Sequence, residues 1–342
     1  MAQRATGRSA KITQHIDKPL RLLADIGGTY VRFAVQKSGE PARKQRRYLC
    51  IDFPDIATAI RTYYRDARLT ATRPSVAAFA VAAPITGDRV VLTNHPWKFS
   101  IAGLGRKLAF SDLVVVNDFL AISESIPCLK AGDRRKIGGG RAVPRATMAI
   151  IGPGTGLGVG ALAPIEVGRQ AKATWQAIAS EGGHATLATS DPRELKVIER
   201  IRRIYPHVSI ERCLSGQGLV NLHHALCEIA GVETPDIPPH TVTRHARQGD
   251  PMARETIAMF CALLGSAAGN LALTYGALGG VYIAGGIVPK LGPLFDSKLF
   301  IRRFTAKGRY RRYLSAIPVY VIIHPLPALI GLAALLDRRE SR

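Results

Sequence analysis

Two segments of this sequence share one plan, and that repetition constrains the fold more than any other feature. Residues 22–35 and 149–162 each read as an apolar strand, a glycine-containing turn and a second strand. The turn residues can take a positive φ and leave backbone N–H groups exposed. Two such hairpins predict an α/β protein with two related halves that face each other.

Apolar periodicity predicts the remaining large elements. We expect strands at residues 75–81, 112–116, 281–284 and 319–323, and helices at residues 56–68, 193–204, 218–230 and 250–275. The terminal apolar stretch, residues 328–336, is too short and too late to stand alone. We therefore expect it to pack back on the N-terminal half and make that domain discontinuous.

One segment, residues 256–289, carries no charged side chain and is long enough to suggest a membrane span. Glycines crowd its middle, and Asn270 and Pro289 interrupt it. We interpret it as a buried helix with small residues for close packing, followed by a buried strand that ends in a glycine turn. The sequence thus favours a protein with no membrane partner.

The charge balance is strongly basic, with 47 Lys and Arg against 25 Asp and Glu and a formal charge of +22. Such a balance attracts nucleic acids, anionic membranes and nucleotide phosphates. The charges lie in scattered patches, at residues 43–47, 134–136, 200–203 and 302–312. None carries a recognisable nucleic-acid module, so we interpret them as solvated surface and expect no nucleic-acid partner.

Five widely spaced cysteines form no CxxC pair. A structural zinc site and a disulfide framework are therefore not expected, and a cytoplasmic location fits best. Residues 1–20 form a basic N-terminal tail, which we predict to be flexible rather than an organelle transit peptide.

The first turn places the carboxylate of Asp25 just before Gly27, Gly28 and Thr29. Free N–H groups in such a turn bind phosphate oxygens, and glycine lets the backbone approach closely. Asp25 could hold Mg²⁺, through water, because Mg²⁺ dehydrates reluctantly. An ordinary hairpin turn is the alternative for this motif taken alone.

The second turn contains Gly154, Thr155 and Gly156. Two glycine turns in matching strand contexts are hard to explain by chance, so the second turn supports a phosphate-binding role for the first. A third glycine site, Gly285 and Gly286, follows an apolar strand. It could be a simple packing turn. Beside two phosphate loops, it would form the floor of an adenosine pocket.

Asn117 and Asp118 follow an apolar strand, and open α/β sheets bind ligands at the carboxyl ends of their strands. Asp118 could accept the proton of an attacking hydroxyl while Asn117 holds that substrate. An Asx turn is the alternative. Glu181, His184 and Glu211 suit a sugar, whose hydroxyls need paired donors and acceptors.

Together these motifs resemble the bacterial glucokinase family, within the hexokinase and actin-like ATPase superfamily. The resemblance covers residues 22–336 and rests on ADIGGT, PITGDRVVLTNHPW, VVNDF, IGPGTGLGVG, SEGGH, ERCLSGQGLVNL, GNLAL and GGVYIAGGIVP. It implies a two-domain actin-like ATPase (ribonuclease H-like) fold around a cleft. The small α/β domain would comprise residues 21–128 and 325–342, and the larger α+β domain residues 129–324.

The resemblance also implies the activity, which is transfer of phosphate from ATP with Mg²⁺ to D-glucose. Asp118 would be the base, and Asn117, Glu181, His184 and Glu211 would contact the sugar. Gly27, Gly28, Thr29 and Thr155 would contact the phosphates, with Asp25 near Mg²⁺. Domain closure on the sugar and a homodimer are further implications.

The sequence departs from the family at Tyr30, where the family has Asn after Gly-Gly-Thr. Either the ring packs beside the hairpin, its hydroxyl replaces the hydrogen bond of the amide and activity is kept, or the bulk of the ring displaces the phosphate loop. We favour the first, because Gly27, Gly28 and Thr29 are unchanged. A kinase for another hexose and a sugar sensor without turnover remain alternatives.

Overall fold

The computed structural model describes residues 19–92, 95–165, 174–189, 191–233 and 235–340. The predicted tail, residues 1–20, lies outside the described residues except for its last two. The strands are β1 (Arg21–Ile26), β2 (Tyr30–Gln36), β3 (Arg43–Leu49), β4 (Val76–Val81), β5 (Arg89–Val91), β6 (Lys98–Ser100), β7 (Asp112–Asn117), β8 (Arg134–Gly138), β9 (Met148–Pro153), β10 (Leu157–Ile165), β11 (Thr174–Ser180), β12 (Gly280–Ile283) and β13 (Val319–Ile322). The helices are α1 (Ile56–Asp66), α2 (Ile101–Leu108), α3 (Asp118–Ser125), α4 (Pro192–Arg202), α5 (Gly216–Ala230), α6 (Pro239–Gln248), α7 (Pro251–Thr274), α8 (Ile287–Leu291), α9 (Ser297–Thr305), α10 (Arg311–Ala316) and α11 (Pro327–Glu340).

The two predicted hairpins are β1–β2 and β9–β10, and each lies in its own sheet. In the described residues the strand order is β3-β2-β1-β4-β7 in the sheet of the first hairpin and β11-β10-β9-β12-β13-β8 in the sheet of the second, and β5 and β6 form a separate two-stranded sheet. β1 pairs antiparallel with β2 and parallel with β4. β9 pairs antiparallel with β10 and parallel with β12. Both sheets therefore repeat one local arrangement, a hairpin followed by a parallel strand beside its first strand.

The alternating side chains of β1 build cores on both faces of the first sheet. Leu22 and Ile26 pack in one core with Ile60 of α1, whereas Leu23 packs with Leu332 of α11 on the opposite face. Successive strand residues point to opposite faces, so an apolar run of this kind must be covered on both sides. The terminal helix supplies the second cover.

α11 is tied to the N-terminal sheet and to α3 by close packing and charge. A Cβ atom at Gly331 would lie 1.7 Å from the carbonyl oxygen of Ala121, so only glycine lets the two helices approach this far. Arg338 of α11 donates to both carboxylate oxygens of Glu124 at 2.7 Å. The buried Arg21 pairs with Asp337 of α11 at 2.6 Å. The C-terminal helix therefore packs against the N-terminal sheet. The domain bounds given above stay a prediction.

α7 is the apolar helix predicted at residues 250–275. Among the described residues it is the one helix long and apolar enough to cross a membrane, and 78% of its most apolar window is buried inside the protein. Gly265 and Gly269 let α9 approach, since Cβ atoms there would lie 2.3 Å from the Phe300 oxygen and 2.5 Å from the Phe304 oxygen. The small residues thus permit close helix packing.

Two basic patches form edge strands, which the sequence did not predict. Residues 43–47 lie in β3 and residues 134–136 in β8, at the edges of the two sheets. The residues of β3 are exposed apart from Tyr48, which is half-buried. Charged side chains on an edge strand hinder pairing with another chain. The charge of these patches therefore also protects the sheet edges.

Candidate active site

Asn117 and Asp118 lie where β7 ends and α3 begins. The Asn117 side-chain oxygen caps the helix, accepting the N–H groups of Phe119 at 2.8 Å and Leu120 at 3.3 Å. Its amide nitrogen donates to the Ala83 carbonyl at 3.3 Å. Asparagine is a favoured N-cap residue, so the sequence itself begins the helix here. The amide has a local structural role, and its predicted sugar contact stays a prediction.

Asp118, the first residue of α3, has an unusual protonation equilibrium. Burial, and secondly the negative charge of Asp25, raise the pKa of Asp118 to about 6. The charge of Glu181 acts in the same direction, while the N–H of Phe119, donated at 2.8 Å, opposes the rise. Both carboxylates are therefore near enough to act on Asp118, and a carboxyl with this pKa suits a general base.

Asp25 lies at the end of β1, opposite Arg32 in the β1–β2 hairpin. The two side chains pair at 2.9 Å. Burial raises the pKa of Asp25, and Arg32 opposes that rise. The sequence did not single out Arg32, although the hairpin register of Asp25 could have identified it.

The first turn is closed by one hydrogen bond, in which Gly27 N–H donates to the Tyr30 carbonyl at 3.0 Å. Thr29 is exposed at its tip. The backbone φ of Gly27 lies outside the left-handed region, as do those of Gly154 and Gly156 in the second turn. These three glycines therefore do not use the positive φ that glycine allows.

In the second turn, Gly156 leaves space for the side chain of Glu211. A Cβ atom at Gly156 would lie 2.5 Å from the Oε2 atom of Glu211. Gly154 is held by two hydrogen bonds of 2.8 Å, to the Gly156 carbonyl and from the Gly216 N–H. Thr155 is exposed at the tip. Positive φ occurs instead at Gly285, at +78°, where a Cβ atom would lie 2.3 Å from the Pro153 oxygen.

A cavity of about 770 Å³ joins the second and third glycine sites. Gly154, Thr155 and Gly286 line it, together with the first turn of α5. The α5 N-terminus is capped by Ser215, and a helix N-terminus favours anions. The sequence reading missed the other polar side chains of the lining, which are Gln217, His240, Thr243, Arg247 and Lys290.

The predicted sugar residues pack directly on the second hairpin. Glu181 and His184 are exposed around the short turn Gly182–His184. Glu211 donates its N–H to the Gly183 carbonyl at 2.9 Å, and its Oε2 atom accepts the Leu157 N–H at 2.7 Å. Glu211 therefore links the turn that carries Glu181 and His184 to the strand that follows Thr155.

Tyr30 packs beside the first hairpin, as the favoured alternative expects. The guanidinium of Arg47 lies over its ring, 4.7 Å from the centroid. Its backbone carbonyl still closes the turn to Gly27. The Tyr30 hydroxyl has no hydrogen bond within the described residues, so the ring packs through its face and the expected replacement of the amide's hydrogen bond is not found.

Comparison with known proteins gives one consistent result. A sequence model of the family described as Glucokinase matches residues 22–339. The glucokinase of Aromatoleum aromaticum is 47% identical, over 93% of this chain and 94% of that protein. The bifunctional protein glk of Burkholderia pseudomallei is 45% identical over 100% of this chain. The chain spans about half of that relative's length, 52%.

The same likeness appears in three dimensions. The crystal structure of glucokinase from an Antarctic psychrotroph superposes with a TM-score of 0.83 at 34% sequence identity. The match covers 94% of this chain and 99% of that one. The shared architecture is the actin-like ATPase fold, in which two sheets with a common local plan are joined in one chain.

Proposed function

The chain belongs to the glucokinase family, and from that premise we propose that it transfers the γ-phosphoryl group of ATP to the 6-hydroxyl of D-glucose. One observation carries the proposal. The charges of Asp25, at the first glycine turn, and Glu181, at the sugar turn, both act on Asp118. A base that is close to both groups can accept a proton where phosphate and sugar meet.

Asp118 is the residue that activates the sugar. With its pKa raised to about 6, the carboxylate is mainly ionised at pH 7 and still basic enough to accept a proton. It takes the hydroxyl proton as the new oxygen–phosphorus bond forms in line with the departing ADP oxygen. Such transfer depends mainly on positioning and on stabilising charge.

The sugar hydroxyls would contact Asn117, Glu181, His184 and Glu211. The carboxylates accept hydrogen bonds, while the amide and the imidazole can donate as well as accept. A hydrogen bond to a charged group contributes about 1.5–3 kcal/mol. A site built this way rejects sugars that lack a hydroxyl, because its polar groups would be left unpaired.

ATP would place its adenosine in the 770 Å³ cavity, which is lined by Gly286, the residue after Gly285. Its phosphates would bind N–H groups of the two glycine turns, at Gly28, Thr29, Thr155 and Gly156. The N–H groups of Gly27 and Gly154 close the turns themselves, so these two residues would only line the phosphate site. The N-terminus of α5 adds a partial positive charge at the cavity wall. These donors are neutral dipoles, fixed by the hairpins before the nucleotide arrives.

Asp25 fits a magnesium ion bound together with ATP. Its carboxylate is buried at the end of β1, and Mg²⁺ is typically held by one or two carboxylates plus substrate phosphates and water. Among the described residues no group of three or more His, Cys, Asp or Glu could form an all-protein metal cage. When bound, Mg²⁺ would neutralise phosphate charge beside Asp25.

Closure of the cleft, a homodimer and a cytoplasmic location complete the proposal. All five cysteines are unpaired, which suits a reducing compartment. Size-exclusion chromatography with light scattering would measure the subunit number. A mass of one chain would remove the dimer from the proposal.

A coupled ADP-release assay across a panel of hexoses tests the central proposal. We expect ADP release with D-glucose as the best acceptor and no release without a sugar. A higher kcat/KM for mannose, fructose or glucosamine would assign a different hexose. Glucose binding without turnover would favour a sensor.

A further inference from the structure

Phe119, the residue after the proposed base, lies on two glycines of the second hairpin. A Cβ atom at Gly158 would lie 2.0 Å from its Cδ2 atom, and a Cβ atom at Gly152 would lie 2.2 Å from its Cζ atom. Gly152 and Gly158 are direct partners across β9 and β10, so they share one face of the sheet. We call this pair the glycine seat of Phe119.

Glycine is needed at these two positions because a side chain would collide with Phe119, and not because the backbone has an unusual φ angle. Neither Gly152 nor Gly158 has a left-handed φ, so the backbone at both positions is open to other residues. The obstacle to a methyl group is the ring of Phe119, together with the Ala284 carbonyl carbon, 3.1 Å from a Cβ at Gly152. Protein interiors are packed densely enough that even one added methylene is felt.

The contact continues along α3. Gly160, two residues after Gly158 and on the same face of β10, lies below Ser123, with 3.2 Å between a Cβ there and the Ser123 Oγ atom. Phe119 and Ser123 are one helical turn apart on one face of α3. Helix α3 therefore lies along a row of glycines on β10.

The seat connects the two ends of the proposed reaction. At one end, the Phe119 N–H is accepted at 2.8 Å by the side chains of both Asn117 and Asp118. At the other end, the strands that carry Gly152 and Gly158 lead directly into the phosphate turn at residues 154–156. A displacement that reaches the Phe119 backbone therefore moves Asp118 relative to that turn.

We propose that Phe119 is a positioning residue, which fixes the distance between the Asp118 carboxylate and the second phosphate turn by resting on the glycine seat. The inference rests on the proposed function of Asp118 as base. It adds that the hairpin and the start of α3 act as one rigid unit. A misplacement of about 1 Å in such a unit can cost roughly 10²-fold in rate.

A double-mutant cycle tests the seat. Gly158→Ala places a methyl group in the ring's position and should lower kcat by about 10²-fold, with a much smaller change in glucose KM. Phe119→Ala should also lower kcat. The double variant should recover at least about tenfold over Gly158→Ala, because the methyl group enters the space that the ring has left. Phe110→Ala is the matched control.

Phe110 is another half-buried phenylalanine, stacked edge-on against Phe79 outside the site. Its variant should lose stability and keep kcat. If the two seat variants lower only the melting temperature, with additive effects and normal kcat per folded molecule, the positioning role is refuted.

The readouts separate this inference from the proposed function. A folded wild-type protein that releases no ADP would refute the kinase and leave the seat to be judged by hydrogen exchange. Exchange of the Leu120 amide, which is bonded to Asn117 at 3.3 Å, should rise in Gly158→Ala and return in the double variant. Equal exchange in all four proteins would refute the seat.

Discussion

Replacement of Asp118 by asparagine should make the protein more stable while it removes the base. The folded chain holds this carboxyl partly buried, and burial together with the charge of Asp25 raises its pKa from 3.8 to about 6. Above pH 6 the native state must therefore carry an unfavourable buried charge. Asparagine keeps the side-chain oxygen that accepts the Phe119 N–H and carries no charge.

The size and the sign follow from proton linkage. Each pKa unit corresponds to about 1.4 kcal/mol, so the rise from 3.8 to about 6 costs the ionised native state about 3 kcal/mol. Between pH 4 and pH 6 the native state binds more protons than the unfolded state, so stability falls as pH rises. The advantage of Asp118→Asn should be absent below pH 4, grow to pH 6 and then stay constant.

Thermal unfolding of the ligand-free protein measures this effect. With an unfolding entropy of about 2 cal/mol/K per residue over 342 residues, 3 kcal/mol corresponds to a shift of about 4 °C. Asp236→Asn is the control, since that side chain is fully exposed. An Asp118→Asn protein that is no more stable than wild type at pH 8, or whose advantage does not vary with pH, would refute the reasoning.

Four further outcomes are expected. Asp118→Asn should lower kcat by about 10² to 10⁴-fold in the ADP-release assay, and near-normal kcat would exclude it as base. Glu181→Gln and Glu211→Gln should each raise glucose KM, because each loses a hydrogen bond to a charged group that contributes roughly 1.5–3 kcal/mol to binding. Unchanged KM in both would exclude the sugar contacts. EDTA should abolish turnover and leave circular dichroism unchanged, whereas stoichiometric zinc in the purified protein would contradict this. Tyr30→Asn should change ATP affinity more than glucose affinity; rescue of an inactive wild type by this variant would establish the sensor.

Much of the fold is predictable because its strongest signals are local. The two hairpins, and helices such as α1 and α7, depend on periodicity and on turn or cap residues within a few positions of each other. α7, for example, begins after Asp250, whose side chain accepts the Ala253 N–H at 2.6 Å. The predicted bounds of these elements differ from the observed ones by a few residues, since helix and strand ends depend on tertiary contacts.

The site was less predictable because its geometry is set across the chain. The sequence identifies Gly156 and Glu211 as separate motifs, but it does not show that the carboxylate fills the space where the glycine has no side chain. It places Gly158 within the motif IGPGTGLGVG, but it does not show that the ring of Phe119 packs against this glycine. The cavity lining of α5, α6 and α8 carries no motif, because those side chains meet only after the helices have packed.

Under the proposed function, the distribution of charge in this protein would act separately on the arrival of the nucleotide and on the chemical step. The chain carries +22 overall, and Arg247 and Lys290 lie at the wall of the nucleotide cavity. The proposed reaction centre has the opposite character. It contains four carboxylates, those of Asp25, Asp118, Glu181 and Glu211. Among the described residues only one of them has an ion-pair partner, since Asp25 pairs with Arg32. A long-range positive field raises the encounter rate of an anion such as ATP. At the centre, N–H dipoles already held in place by the hairpins can stabilise the charge that develops during transfer without having to reorganise. The basic surface and the acidic centre are therefore compatible, because the surface acts on the encounter with ATP and the centre acts on phosphoryl transfer.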